Sequence, residues 1–330
     1  MQVQRSASPA WVRAVAGTCV AWCVFLLLAG ANVKTRDGGL SIPDWPTMYY
    51  DVVPGMDSIR AMLGPAALRA EFVHRLIAAV MGLLTALLAV SVQLAVPRRG
   101  VRILAWSALG LVIVQGVLGG LGVLTMLGNP WPLLHSVTAQ VFLCVLVALA
   151  SALSPWWTAA GGRRLDADAL RLMKLSIVTV ALLFVQLVLG AAARHGIFAR
   201  EVHAMFALLV AIAVVRLVLT AGADQPRELT LLRRPAALLG VLFAAQVGLG
   251  LWSYLIDAAG RRQHEHALHE IAIVNAHVVV GALILAAAFG LLLRTFRVYG
   301  MPTDERVRDE VLGGGAGDAA PEARAAAVHA

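Results

Sequence analysis

Charge is what this sequence has least of. Asp, Glu, Lys and Arg make up 14% of its 330 residues, against about a quarter in an ordinary soluble domain. That deficit excludes a chain kept in solution by a charged surface. Cysteine is scarce too: Cys19, Cys23 and Cys144 are the three present, and all lie within long apolar runs. No loop disulfide is available, and the three read as small packing residues. Short alternating segments of the kind that build a transmembrane barrel are missing. No small-residue cleavage site follows the first apolar run, which therefore reads as a retained helix.

What is present is hydrophobicity, at 60% of residues and a mean hydropathy of +0.79. Eight runs are long enough to cross a bilayer: about 11–33, 72–96, 102–126, 132–154, 171–193, 203–222, 234–254 and 271–293. Roughly 20 apolar residues suffice for a membrane helix, so the chain reads as an all-α integral membrane protein of eight transmembrane helices. The formal net charge is +8, and its placement is informative. Arg98, Arg99 and Arg102 follow the second run, and Arg163, Arg164, Arg171 and Lys174 follow the fourth. Arg227, Arg233 and Arg234 follow the sixth, and Arg294 and Arg297 the eighth. The positive-inside rule puts these connections and both termini in the cytoplasm. The basic balance thus reports topology and gives no ground for nucleic-acid binding. Residues 300–330, rich in Gly, Ala and charge, read as a disordered cytoplasmic tail.

The chain repeats itself. "EFVHRLIAAVMGLL" opens the second run and "EVHAMFALLVAIAV" the sixth. "QGVLGGLGVL" in the third matches "QVGLGLWSYL" in the seventh, and "LLHSVTAQVFLCVLVALA" in the fourth matches "NAHVVVGALILAAAFGLL" in the eighth. "QLVLGAAARHG" lies in the fifth. Two parallel-repeated four-helix bundles are expected, because an even number of crossings restores orientation. The N-terminal half is residues 1–155 and the C-terminal half residues 171–295. Glycines in the third and seventh runs suit close helix packing.

His74, His135, His203 and His277 stand near the outward ends of the second, fourth, sixth and eighth runs. One histidine near a membrane interface is commonly structural. Four at matching repeat positions and one depth point to metal ligation, with two imidazoles per half able to hold a haem iron from both sides. A non-haem metal is less favoured, since each half offers few other ligands. Glu71 lies one turn before His74 and shares its helix face. It has two readings: a carboxylate that orients the imidazole or moves protons, or a helix-start carboxylate paired with Arg75. Glu201 stands two residues before His203 and has no equivalent geometry.

The outward connection 34–70 contains "GGLSIPDWPTMYY", a turn-rich stretch that is either a lid over the first-half site or an interfacial loop. Lys34, Arg36, Arg75, Arg194 and Arg200 are on the same side, available to carboxylates or to lipid and water. His195 reads as loop solvation or a contact to a porphyrin carboxylate. "HEHALHE" from His264 to Glu270 matches no strong metal signature and reads as a solvated loop. His329 has no assigned role.

Over residues 15–295 the chain resembles the haem A synthase family. The resemblance rests on "GGLSIPDWP", "EFVHR", "QGVLGGLGVLT", "LLHS" and the single histidines opening the sixth and eighth runs. It implies oxidation of a ring methyl of haem O, through hydroxylated intermediates, to the formyl group of haem A used by terminal oxidases. His74 and His135 would flank the substrate haem, with Glu71 as the catalytic carboxylate. His203 and His277 would ligate a haem b cofactor. Arg75 and Arg194 are candidate propionate contacts. The implied setting is a bacterial inner membrane, multi-pass, with an external electron donor and a haem O synthase or terminal oxidase as candidate partners; a homo-oligomer is compatible. Many family members flank the "PDWP" turn with cysteines, where this chain has Ile42 and Met48. The alternative reading is a non-catalytic bis-histidine electron carrier or haem-handling membrane protein, which would need the histidines but not Glu71.

Overall fold

The structure is a computed structural model that describes residues 8–50, 55–128, 130–159, 167–222, 230–258 and 267–299. The tail from residue 300, His264 and His266 lie outside the described residues. Every regular element described is a helix: α1 (Ala10–Thr35), α2 (Met56–Leu63), α3 (Ala66–Ala95), α4 (Arg99–Leu124), α5 (Trp131–Leu153), α6 (Pro155–Ala159), α7 (Ala167–Arg194), α8 (Arg200–Gly222), α9 (Thr230–Ala258) and α10 (Leu268–Tyr299). Eight of them are long and apolar enough to cross a membrane, one for each apolar run. The protein is a multi-pass, all-helical membrane protein.

Hydropathy locates the spans and helix propensity extends them. Helix α3 starts at Ala66 behind Pro65, well before its apolar run. The intervening residues, Ala, Leu, Arg and Glu, are strong helix formers. The short helices α2 and α6 are too brief to leave a hydropathy signal, and α2 shortens the expected loop 34–70.

Leu83, Met205, Leu208 and Leu251 are exposed. Such side chains suit lipid, which is as apolar as they are. Inside, α1 packs on α3 and α5, and α4 packs on both of these. Likewise α7 packs on α8 and α10, and α9 on both. The two circuits meet where α1 and α5 touch α10 and where α5 touches α7. One core gathers Cys19, Cys23, Met81, Leu88, Leu143 and Leu149; another gathers Leu172, Leu217, Leu239, Leu285 and Leu291. Cys19 and Cys23 are buried and all three cysteines are free thiols. The Trp22 indole N–H donates to the Ile77 carbonyl at 2.9 Å, tying α1 to α3.

Candidate functional site

Each of the four histidines lies against a glycine on the preceding long helix. A methyl group placed on Gly30 of α1 would sit 3.2 Å from the His74 ring carbon Cε1, and one on Gly119 of α4 would sit 3.3 Å from that of His135. The same construction gives 2.8 Å from Gly190 of α7 to His203, and 2.9 Å from Gly250 of α9 to His277. Ordinary contact begins near 3.4 Å, so glycine is what lets each imidazole approach its neighbouring helix this closely. Close helix packing was the expected role of the glycines in the third and seventh runs, which include Gly119 and Gly250. Their specific partner in each case is a histidine ring.

Glutamine supplies the second part of the cradle. Gln115, Gln186 and Gln246 each precede their glycine by four residues on α4, α7 and α9. His135 Nδ1 lies 3.1 Å from the Gln115 carbonyl oxygen, and His203 Nδ1 lies 3.1 Å from that of Gln186. A carbonyl only accepts, so Nδ1 carries the proton and Nε2 keeps its lone pair. This is how proteins commonly prepare imidazole as a metal ligand. The Gln186 side-chain nitrogen donates to the His203 carbonyl at 3.0 Å. The Gln246 nitrogen lies 3.5 Å from His277 Nε2. The repeat "Q-x-x-x-G" was the sequence signal for this arrangement; α1 departs from it, with Leu26 in place of glutamine, and His74 Nδ1 is buried without a hydrogen-bond partner.

The pairs sit diagonally: α3 and α5 are separated by α1 and α4, and α8 and α10 by α7 and α9. The His203 and His277 ring centres are 6.3 Å apart with their planes at 89°. Two imidazoles on one metal ion at roughly 2 Å per bond put their ring centres about 6.3 Å apart. Among the described residues, no group of three or more His, Cys, Asp or Glu side chains converges on a common point. The donors that face each other are therefore the imidazoles of His203 and His277, with no acidic or thiol ligand beside them among the described residues.

Glu71 is buried, and both its oxygens are engaged. Oε2 accepts from the Ile42 backbone N–H at 2.9 Å. Oε1 accepts from Arg75 Nη2 at 2.6 Å and Nε at 3.1 Å. Arg75 also donates to the carbonyls of Asp44 at 2.6 Å, Thr47 at 3.1 Å and Ile42 at 3.2 Å. Those five bonds match the five N–H groups of a guanidinium. The geometry thus brings Glu71 to Arg75 and to the loop, with no hydrogen bond from Glu71 to His74. Nor does Glu71 open its helix: the first turn of α3 contains no acidic residue. Glu201 is exposed and pairs with Arg200, whose guanidinium lies 4.9 Å above the Tyr254 ring.

The clamped loop is docked along its length. A methyl on Gly38 would meet the Ala67 carbonyl oxygen at 2.6 Å, and one on Gly120 would meet the Trp45 indole at 2.3 Å. Ile42 and Phe72 are buried together, with Met48, Tyr49 and Leu68 packed around them. Asp44 accepts from the Thr47 hydroxyl and from the backbone N–H groups of Tyr49 and Tyr50 at 2.9 and 2.8 Å. Burial pushes the Asp44 carboxyl up, but these donors outweigh it and hold it below the usual carboxylate range.

A polar seam joins the two circuits at the same end. Arg194 Nη2 donates to the Ala31 carbonyl at 2.8 Å and the Thr35 hydroxyl at 2.6 Å, while its Nη1 is buried and unpartnered. Thr35 Oγ1 is 2.7 Å from Asn275 Oδ1. Ser136 donates to the Pro132 carbonyl at 2.8 Å, so its oxygen accepts from His195 Nε2 at 3.2 Å.

Eight membrane-crossing helices that seat four histidines against glycines define a multi-pass, all-helical membrane protein with imidazole donors available to a cofactor such as haem. Residues 13–199 match the model of the cytochrome oxidase assembly protein family. The chain belongs to that family, as the resemblance to haem A synthases implied. A segment of 129 residues is 29% identical to the Heme A synthase of Exiguobacterium sp. (strain ATCC BAA-1283 / AT1b), covering 39% of this chain and 38% of that protein. The family match takes in His74 and His135; His203 and His277 lie beyond it.

Proposed function

We propose that this chain is a haem A synthase, converting a ring methyl of haem O to the formyl of haem A through hydroxylated intermediates. The observation that carries the reading is the fourfold cradle in which a glycine seats each histidine. In this reading residues 1–155 form the substrate half and residues 171–295 the cofactor half. His203 and His277 hold a haem b, and His74 and His135 flank haem O. The residues fit such a group: the His203–His277 ring spacing suits one metal ion, Nδ1 of His135 and of His203 faces a backbone carbonyl so that Nε2 carries the lone pair, and the side-chain oxygens of Gln186 and Gln246 are buried without partners. A haem bound there supplies one-electron redox chemistry.

The chain's own groups do the rest. In this reading the docked loop serves as a cover over the first-half site, with Trp45 against Gly120, next to the Gly119 that seats His135. The Glu71–Arg75 pair fixes that cover. Oε2 of Glu71 accepts one bond, from Ile42, and so has a lone pair left on which to hold a proton. Arg75 has no donor to spare, whereas Arg194 Nη1 can meet a propionate carboxylate with a charge-assisted bond. The basic ends of the helices support a topology with both termini in the cytoplasm of a bacterium and the site near the outer face.

Co-expression with a source of haem O, followed by chromatography of extracted haems, tests the reading. Haem A or its hydroxylated precursor is expected. Bound haem b with haem O unchanged would instead identify an electron carrier.

A further inference from the structure

At the basic end, far from the histidines, the seam between the two circuits opens into a crevice of about 470 Å³ lined by residues of α1, α5, α6, α9 and α10. Val20, Val147, Ala150, Leu238 and Ala286 make its walls apolar. Arg234 and Arg294 also line it, and no Asp or Glu is among its lining residues. Arg294 lies 4.8 Å above the Trp156 ring and donates to the Gly290 carbonyl at 3.2 Å, leaving further N–H groups free. Arg234 is an exposed side chain on the first turns of α9.

The geometry points to a binding site for an anionic phospholipid, with its phosphate between Arg234 and Arg294 and an acyl chain against the apolar walls. Two cations without a carboxylate select an anion. Walls of Val, Leu and Ala within membrane-crossing helices select hydrocarbon. A free phosphate would use only the first feature, and in a zwitterionic lipid the head group's own cation offsets the phosphate and repels the two arginines. Basic pockets between helices on the cytoplasmic side are suited to anionic head groups. The indole of Trp156 holds the Arg294 guanidinium by cation–π attraction, so the site is partly arranged before its ligand arrives. The lipid would act as mortar between the circuits, bridging α9 and α10 to α1 and α5. This inference is independent of what the histidines bind.

The test uses the full chain in detergent, titrated with dioleoylphosphatidylglycerol, dioleoylphosphatidylcholine or inorganic phosphate. Native mass spectrometry reads retention and thermal unfolding reads stabilisation. The expected result is retention and a raised Tm with phosphatidylglycerol alone. Arg234→Gln and Arg294→Gln should each weaken binding roughly five-fold, the share of one cation near an anionic head group, and Arg234→Lys should keep most of it. Arg234 is exposed, so its variant folds and remains informative if Arg294→Gln does not. Equal retention of phosphatidylcholine, an equal shift with inorganic phosphate, or undiminished binding by Arg234→Gln would each overturn the site.

Discussion

Gly248 and Gly250 lie two residues apart on α9, yet alanine should act oppositely at the two. A Cβ at Gly248 meets nothing within 4 Å. There, alanine adds helix propensity of about 1 kcal/mol and changes little else. A Cβ at Gly250 would be 2.9 Å from His277 Cε1 and 3.4 Å from Nδ1. Restoring ordinary contact moves the ring by about 0.5 Å, the tolerance within which a functional site must be held. Disturbing a ligand's supporting contacts costs about 10–100-fold in metal affinity, and a similar loss of haem is expected in Gly250→Ala. Gly190→Ala, at 2.8 Å, should match it, while Gly30→Ala and Gly119→Ala, at 3.2 and 3.3 Å, should be milder. The assay is haem per protein by pyridine haemochrome, beside thermal unfolding of the haem-free chain. Loss of haem without loss of apoprotein stability is the expected signature. Equal haem content in Gly248→Ala and Gly250→Ala would refute the cradle.

Four further outcomes are expected. Glu71→Ala should cost about 3 kcal/mol of stability, because it leaves the partly buried Arg75 guanidinium without its counter-charge. Arg75→Ala should cost a similar amount, and a double-mutant cycle by denaturant unfolding should be strongly non-additive. In Glu71→Ala the haem spectrum should survive while product falls; unchanged product removes Glu71 from the chemistry. Gly120→Ala should lift Trp45 and raise hydrogen exchange across residues 38–50, whereas Gly116→Ala, with nothing within 4 Å, should not. His203→Ala and His277→Ala should each abolish tight haem b binding, and retention of a normal spectrum would end that ligand assignment. His195 is held neutral, chiefly by burial and then by the Lys34 and Arg194 charges, which bring it from 6.5 to about 4. A depressed folded value means its contribution to stability is full above pH 6.5 and is lost as pH falls from there toward 4. His195→Asn should flatten stability across that window in a pH series of melting curves.

Hydropathy made the eight spans legible, because crossing a membrane constrains every residue of a 20-residue stretch. It could not show α2 and α6, which are short and owe their form to local propensity. The histidines were legible through repetition alone. What held them was not: a glycine says only that space is needed, not that an imidazole fills it, and the carbonyls of Gln115 and Gln186 belong to the backbone. Glu71 shows the limit most clearly. Its spacing allowed either His74 or Arg75 as partner, and the choice was made by Ile42, a residue 29 positions away whose N–H completes the carboxylate's shell.

Ile42 and Met48 share one apolar cluster, close to where a covalent cross-link would otherwise fasten the loop. Noncovalent fastening has a kinetic consequence. Apolar contacts and a guanidinium bonded to carbonyls release and re-form without an oxidant, at rates set by thermal motion. The loop docked on Phe72 and Gly120 is thus a latch indifferent to the surrounding thiol–disulfide poise. It can open and shut again in reducing and oxidising surroundings alike.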